Sequence, residues 1–279
     1  MGQWTGRTIF MTGGSRGIGR AIALRMAAEG ANIVIAAKTE MPHPRLPGTI
    51  HSVAEEIRAA GGQCLPVVTD AREESQLLAA VDAAVSAFGG IDVLINNAGY
   101  LGITPVTATS TKAYDLMQGL NTRAPFILMR ACHPHLVARR GVVINLCPPI
   151  NLDPGWLGAF APYTVSKYGM TLLSLGFAEE VRAQDVTVFT LWPRTLVATD
   201  AVGAKMGEAG LSLARKPAVM ADAAAALLLQ RERYAHQVSW LDEDILRQAG
   251  VVDFTAYAHD PAQAERIQRD FYIGRYQDQ

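Results

Sequence analysis

Short runs that are apolar on both faces alternate along the chain with longer segments whose apolar positions recur at helical spacing. The short runs are Arg7–Met11, Ala31–Ala37, Gln63–Val68, Ile91–Ile95, Gly141–Leu146, Val186–Leu191 and Gln237–Leu241. The longer segments are Ile18–Glu29, Ile50–Ala60, Glu73–Phe88, Ala113–Val137, Tyr163–Ala183 and Met220–Gln230. Strands apolar on both faces and separated by helices predict an α/β protein with a parallel sheet covered on both sides. Right-handed crossovers make it doubly wound, with about seven strands. Three stretches break the rhythm: a proline-punctuated loop at 41–47, Pro148 to Pro162, and Arg194 to Pro217. Each leaves the C-terminal end of a strand, where ligands bind in such sheets.

No internal repeat or Gly/Ser-rich linker divides the 279 residues. The expectation is one domain over 1–279, with a core at 7–241 and a C-terminal extension at 242–279 that has aromatics but little pattern. With 49% apolar and 18% charged residues, a sizeable core can form. A net charge of −1 offers nucleic acid or an anionic membrane no general attraction. The longest aliphatic run, Ala223 to Leu229, is too short to span a bilayer. Cys64, Cys132 and Cys147 form no readable disulfide framework or zinc pattern. His133-Pro134-His135, expected at a helix end, lacks the acid or cysteine that would complete a metal site. A reducing, cytoplasmic setting is therefore expected.

The strongest local signal is Thr12-Gly13-Gly14-Ser15-Arg16-Gly17-Ile18-Gly19, between the first strand and first helix. Gly13 permits a tight turn, Gly17 lets backbone approach a pyrophosphate, and Gly19 lets the helix pack close to the sheet. The helix N-terminus then presents free N–H groups to phosphate, as in a Rossmann-type nucleotide site. An acid closing the second strand would bind the ribose 2′-hydroxyl of NAD. Here that strand ends Ala37-Lys38-Thr39, and Lys38 with Arg16 can flank a 2′-phosphate. NADP(H) is therefore favoured over NAD(H). Asp70, closing the third strand, can accept from the adenine amino group, and Asn97 lies in Asn96-Asn97-Ala98-Gly99, where small residues let backbone pass near the adenosine.

Tyr163 and Lys167 are four residues apart, on one face of an expected helix. A lysine ammonium beside a phenol lowers its pKa toward the range useful in carbonyl–alcohol interconversion. Alone, such a pair is more often a surface pair than a site. Together with the glycine turn, Asn-Asn-Ala-Gly and Asn121, in this order and spacing, it resembles the short-chain dehydrogenase/reductase family from about Arg7 to Leu241.

The resemblance implies that Tyr163 is the general acid/base. Lys167 would hold the nicotinamide ribose and depress the tyrosine pKa, and Asn121 would support a proton-relay water. It implies cofactor contacts from Gly13, Gly14, Ser15, Arg16, Gly17, Ile18, Gly19, Lys38, Asp70, Asn97, Tyr163 and Lys167, with an alcohol or carbonyl as small-molecule substrate. It also implies homodimers or homotetramers paired through the two long helices.

Two positions depart from the family. Where it has Ser-Ser after the fifth strand, this chain has Cys147-Pro148, and where it has Pro-Gly after the sixth, Pro193-Arg194. Cys147 is a weak donor and Pro148 none. Cys147, Trp156 and Arg194 are candidate substrate contacts. Trp156, with Leu157, Phe160, Val202, Met206, Leu211 and Leu213, suggests an apolar, long-chain, terpenoid or steroid-like substrate; core packing explains these apolar residues equally. Arg194, Lys205, Arg215 and Lys216 are candidate contacts for an anionic group, although such charges more often form a solvated face. The rival reading is an NADP(H)-binding sensor or scaffold with little turnover.

Overall fold

The computed structural model describes residues 2–42 and 47–273; His43 and Pro44 of the proline loop lie outside the described residues. The strands are β1 (Thr8–Thr12), β2 (Asn32–Ala37), β3 (Gln63–Val68), β4 (Val93–Asn96), β5 (Val142–Asn145), β6 (Thr187–Trp192) and β7 (Ser239–Leu241). They form one parallel sheet in the order β3-β2-β1-β4-β5-β6-β7. Its helices are α1 (Gly17–Ala27), α2 (Ile50–Ala59), α3 (Glu74–Phe88), α4 (Thr111–Gln118), α5 (Ala124–Arg139), α6 (Pro154–Glu180), α7 (Asp200–Ser212), α8 (Ala218–Leu229), α9 (Arg231–Tyr234) and α10 (Asp242–Gln248).

Strand periodicity builds two apolar layers. Ile9, Met11, Ile33 and Ile35 pack against α1, α2, α8 and α10. Phe10, Val34, Leu94 and Val143 point to the other face, against α3 and α5. Pro66 sits in β3, an edge strand, where its missing N–H removes no inner ladder bond. The strand order reverses beside β1, and the C-terminal ends of β1 and β4 there open the crevice that such sheets use for ligands.

Four expectations are corrected. The helix expected over Ala113–Val137 is three pieces: α4, a π turn at Gly119–Arg123, and α5. His133-Pro134-His135 lies inside α5 rather than at its end. The stretch Pro148–Pro162 is not all loop, because α6 begins at Pro154 and is broken at Phe160 (φ −155°, ψ 43°), just ahead of Pro162. That break is where the proline cannot continue the helical hydrogen bonding. Finally, Arg194–Pro217 contains α7, whose interior Gly207 has φ +64°.

Candidate active site

The chain leaves β1 through Gly13 (φ +73°) and opens α1 at Gly17 (φ +55°), conformations that side chains disfavour. A Cβ on Gly19 would lie 2.5 Å from both the Gly13 carbonyl oxygen and Asn97 Nδ2. Asn97 itself braces this turn, since its Nδ2 donates to the Thr12 and Gly13 carbonyls at 2.9 and 2.8 Å. Thr12 Oγ1 accepts from the backbone N–H groups of Asn97 and Ala98. The first turn of α1 contains no acid, and Arg16 at its N-cap makes no side-chain capping bond. That terminus is therefore open to an anion.

In front of it lies a cleft of about 670 Å³, lined by Gly13, Ser15, Arg16, Gly17, Ile18, Lys38, Asp70 and Asn97 among others. This is within the roughly 300–1,000 Å³ range of ligand sites. Gly14 and Gly19 are not in its lining; they pack behind the turn, Gly14 against Ile35. Arg16 Nη2 donates to Thr39 Oγ1 at 2.7 Å, and Lys38 Nζ donates to Asp70 Oδ2 at 3.2 Å. Both cations thus stand at the end of β2. Asp70 also accepts from the Arg72 backbone and guanidinium, which hold its carboxyl well below the usual carboxylate range. An adenine amino group would have to share that carboxylate.

A second cavity, of about 210 Å³, adjoins the cleft through Ile18, Asn97, Gly99 and Thr199. Tyr163 and Lys167 line it, just past the Phe160 break in α6. Lys167 Nζ donates to the Leu146 carbonyl at 2.8 Å and lies 5.4 Å from the Trp192 ring centroid. Burial lowers the Lys167 ammonium to about 8. It also raises the Tyr163 phenol well above its ordinary value, and the charge of Asp270 adds to that rise. The chain by itself therefore presents Tyr163 as a protonated donor, and Lys167 is bonded to backbone rather than to the phenol.

Asn121 is fully buried in the π turn, a distortion frequent at functional sites. Its Oδ1 accepts from Tyr100 N–H, and its Nδ2 donates to the Tyr100 carbonyl and to Ser166 Oγ. Ser166 Oγ in turn donates to the Tyr163 carbonyl at 2.7 Å. The side chain of Asn121 thus ties the loop after β4 to the turn of α6 that carries Tyr163.

The candidate substrate contacts fare differently. Cys147 is completely buried and outside the cavity wall, its Sγ 3.7 Å from the Asn145 carbonyl and 4.0 Å from Ser174 Oγ. Burial pushes its thiol up to about 11. Arg194 is also outside the wall: its guanidinium pairs with Asp244, because α10 brings an acid beside it. Arg215 is buried against Glu243 and Phe254, and so is a structural cation. Trp156 lies on α6, its side chain outside what the structure describes. Val202 does line the cavity, Phe160 packs against Tyr163 from behind, and Leu211 faces a different cleft.

Sequence reasoning missed the other wall, which comes from the C-terminal extension. Asp270, Phe271 and Tyr272 line the cavity opposite residues more than a hundred positions away. Tyr272 is buried, with its ring centroid 6.3 Å from that of Tyr163 and 5.8 Å from that of Trp192. Asp270 is buried as well, and Oδ1 accepts from Trp192 Nε1 at 2.7 Å and from Tyr272 N–H at 3.0 Å. Burial pushes its carboxyl up to about 6, against the opposing effect of these N–H groups.

Comparison with known proteins fits this geometry. A family model described as short chain dehydrogenase matches residues 7–208. The chain is 44% identical over 273 residues to hydroxysteroid dehydrogenase-like protein 2 of Xenopus laevis; the match covers 98% of this chain but 64% of that protein. Among solved structures, a putative dehydrogenase from Xanthomonas campestris is 46% identical with a TM-score of 0.90, covering 97% of this chain and 98% of that one. A metagenomic short-chain oxidoreductase in complex with NADP is 30% identical (TM-score 0.70, covering 85% and 96%). A short chain dehydrogenase from Mycobacterium paratuberculosis bound to NAD is 25% identical (TM-score 0.67, covering 81% and 92%).

Proposed function

The chain belongs to the short-chain dehydrogenase family of oxidoreductases, and on that premise we propose that it interconverts an alcohol and a carbonyl with NADP(H), using Tyr163 as general acid/base. The observation that carries this reading is the placement of Tyr163 and Lys167 in a cavity continuous with an uncapped, glycine-built helix N-terminus. Bound there, the dinucleotide would supply or accept the hydride. The open N-terminus of α1 would hold the pyrophosphate, and Arg16 and Lys38 the 2′-phosphate. Tyr163 would give its proton to the developing alkoxide.

The cavity argues for a compact substrate. It offers about 210 Å³ between Leu101, Trp192, Val197, Val202 and Phe271, below the roughly 300–1,000 Å³ that encloses a drug-sized ligand. The rival reading, a cofactor-binding protein with little turnover, draws on the β5 end, where neither Cys147 nor Pro148 offers the cavity a hydroxyl.

A panel of small aldehydes, ketones and alcohols separates the two, with NADPH or NADP followed by nicotinamide absorbance. Cofactor consumption matched by product supports the enzyme. Tight NADPH binding with no turnover on any member supports the rival.

A further inference from the structure

Asp270 lies in the catalytic cavity, and the proposed reaction leaves it unused. The carboxyl is fixed in place: its backbone N–H donates to the Arg194 carbonyl at 3.0 Å, and its Oδ1 takes the Trp192 indole and Tyr272 backbone N–H groups. The Phe271 backbone N–H also donates to this carboxyl, and neither the Trp192 nor the Tyr272 bond uses Oδ2. The cavity is small enough that a carbonyl placed at Tyr163 also meets the Asp270 wall. Meanwhile the end of β5 offers the reacting oxygen no side-chain donor, since Cys147 is turned toward Asn145 and Ser174. We propose that Asp270 is a further catalytic residue, whose protonated carboxyl donates through Oδ2 the second hydrogen bond to the substrate's reacting oxygen.

This role rests on the alcohol–carbonyl reading above. In the reductive direction the carbonyl carbon gains a hydride from the reduced dinucleotide, and the C=O π pair moves to oxygen. That oxygen takes the proton of Tyr163, and the tyrosinate is reprotonated from solvent. Asp270 keeps its own proton and only stabilises the oxyanion as it forms. Among the described residues that line the cavity, the titratable groups are Tyr163 and Lys167 on α6, Tyr100 after β4, and Tyr272 beside it. Outside the lining, Arg194, whose carbonyl accepts from the Asp270 N–H, and Arg269, its chain neighbour, are the adjacent basic residues. The N–H groups of Trp192, Tyr272 and Phe271 favour the carboxylate, whereas burial is the larger effect, favours the neutral acid and places the transition at about 6.

The test compares wild type with Asp270→Asn, which keeps an acceptor for Trp192 and a donor for the substrate, and with Asp270→Leu, which keeps neither. Steady-state reduction of the aldehyde and ketone panel with NADPH is followed across roughly pH 5 to 8, spanning the value of about 6. The wild-type kcat should rise as pH falls through about 6. Asp270→Asn should stay within about tenfold of wild type and lose that dependence. Asp270→Leu should fall by about 10²- to 10³-fold in kcat with NADPH affinity kept.

A readout without cofactor or substrate is the Tm difference between Asp270→Asn and wild type. It should grow in favour of the variant as pH rises through about 6. Wild-type kcat in Asp270→Leu, an Asn variant as impaired as the Leu one, or a Tm difference that ignores pH would each overturn the proposal. No turnover by the wild type on any panel member instead sinks the alcohol–carbonyl reading, and this role with it.

Discussion

Burial acts on Tyr163 and Lys167 in the same chemical sense, favouring the neutral form of each. With Lys167 lowered to about 8, its charge is sensitive to mildly alkaline pH. Turnover that needs the ammonium should therefore decline as pH rises through about 8, which a pH–rate profile checks, and Lys167→Met should abolish that limb. At the other end of the site, Lys38→Ala should weaken NADPH binding by about 10- to 100-fold, the order of a charge-assisted hydrogen bond, and leave NADH binding unchanged. Equilibrium titration of both nucleotides measures it.

Tyr163, Lys167 and the glycine turn could be singled out from local spacing alone, and the fold brings Tyr163 and Lys167 to one cavity beside that turn. Asp270 could not be singled out that way. Nothing in its neighbourhood marks it, and only the folded chain brings the extension to Tyr163, much as Thr164 meets Tyr272 across 108 positions. Cys147 and Arg194 lie outside the cavity wall for a related reason. Position after a strand suggested exposure to substrate, while Ser174 and Asp244, distant in sequence, hold them elsewhere.

Elements were read well where the apolar period was regular and poorly where glycine or proline interrupts it. All seven strands fell within a few residues of their expected bounds. The π turn escaped detection because the backbone stays right-handed helical on either side of it, at Gln118 and Ala124, so nothing interrupts the run of helical residues. α7 escaped because Gly203, Gly207 and Gly210 dilute its pattern. The glycine turn before α1 makes a sharp prediction. Gly19→Ala puts a methyl 2.5 Å from the Gly13 carbonyl and Asn97 Nδ2. Both are held in place, so denaturant unfolding should show a loss of about 1–3 kcal/mol. NADPH binding should weaken with it.

Across the whole molecule, the extension closes a clamp on the segment after β6. Leu196 N–H donates to the Gln268 carbonyl, Gln268 N–H to the Leu213 carbonyl, and His259 N–H to the Ala214 carbonyl. Tyr272 is the plug of that clamp. Tyr272→Ala should cost about 3–5 kcal/mol, as truncation of a buried aromatic does, and should shift activity toward bulkier substrates.

Asp242 is a second buried carboxyl raised by burial to about 6, matching Asp270. Each is neutral in the folded chain at pH values where the unfolded chain has already ionised. Their contribution to stability is therefore fully present below about 4 and is lost as pH rises through about 6. Thermal melts should show Tm falling over that window, with a smaller fall in Asp242→Asn. The exposed Phe126, Val165, Leu172 and Leu175 on α5 and α6 support the expected pairing of these helices between subunits. Light scattering should then give a mass above that of one chain. Among the described residues, no helix is long and apolar enough to cross a membrane.

The most direct measurement of the central claim is turnover by Tyr163→Phe beside its NADPH affinity, on the best substrate of the panel. The account predicts that NADPH binding is kept, because the phosphate-site residues lie in the adjoining cleft and the phenol is at most one contact among many. It also predicts that kcat falls by about 10²- to 10⁴-fold, the contribution of a positioned acid/base. A Phe variant that turns over as fast as wild type would contradict it.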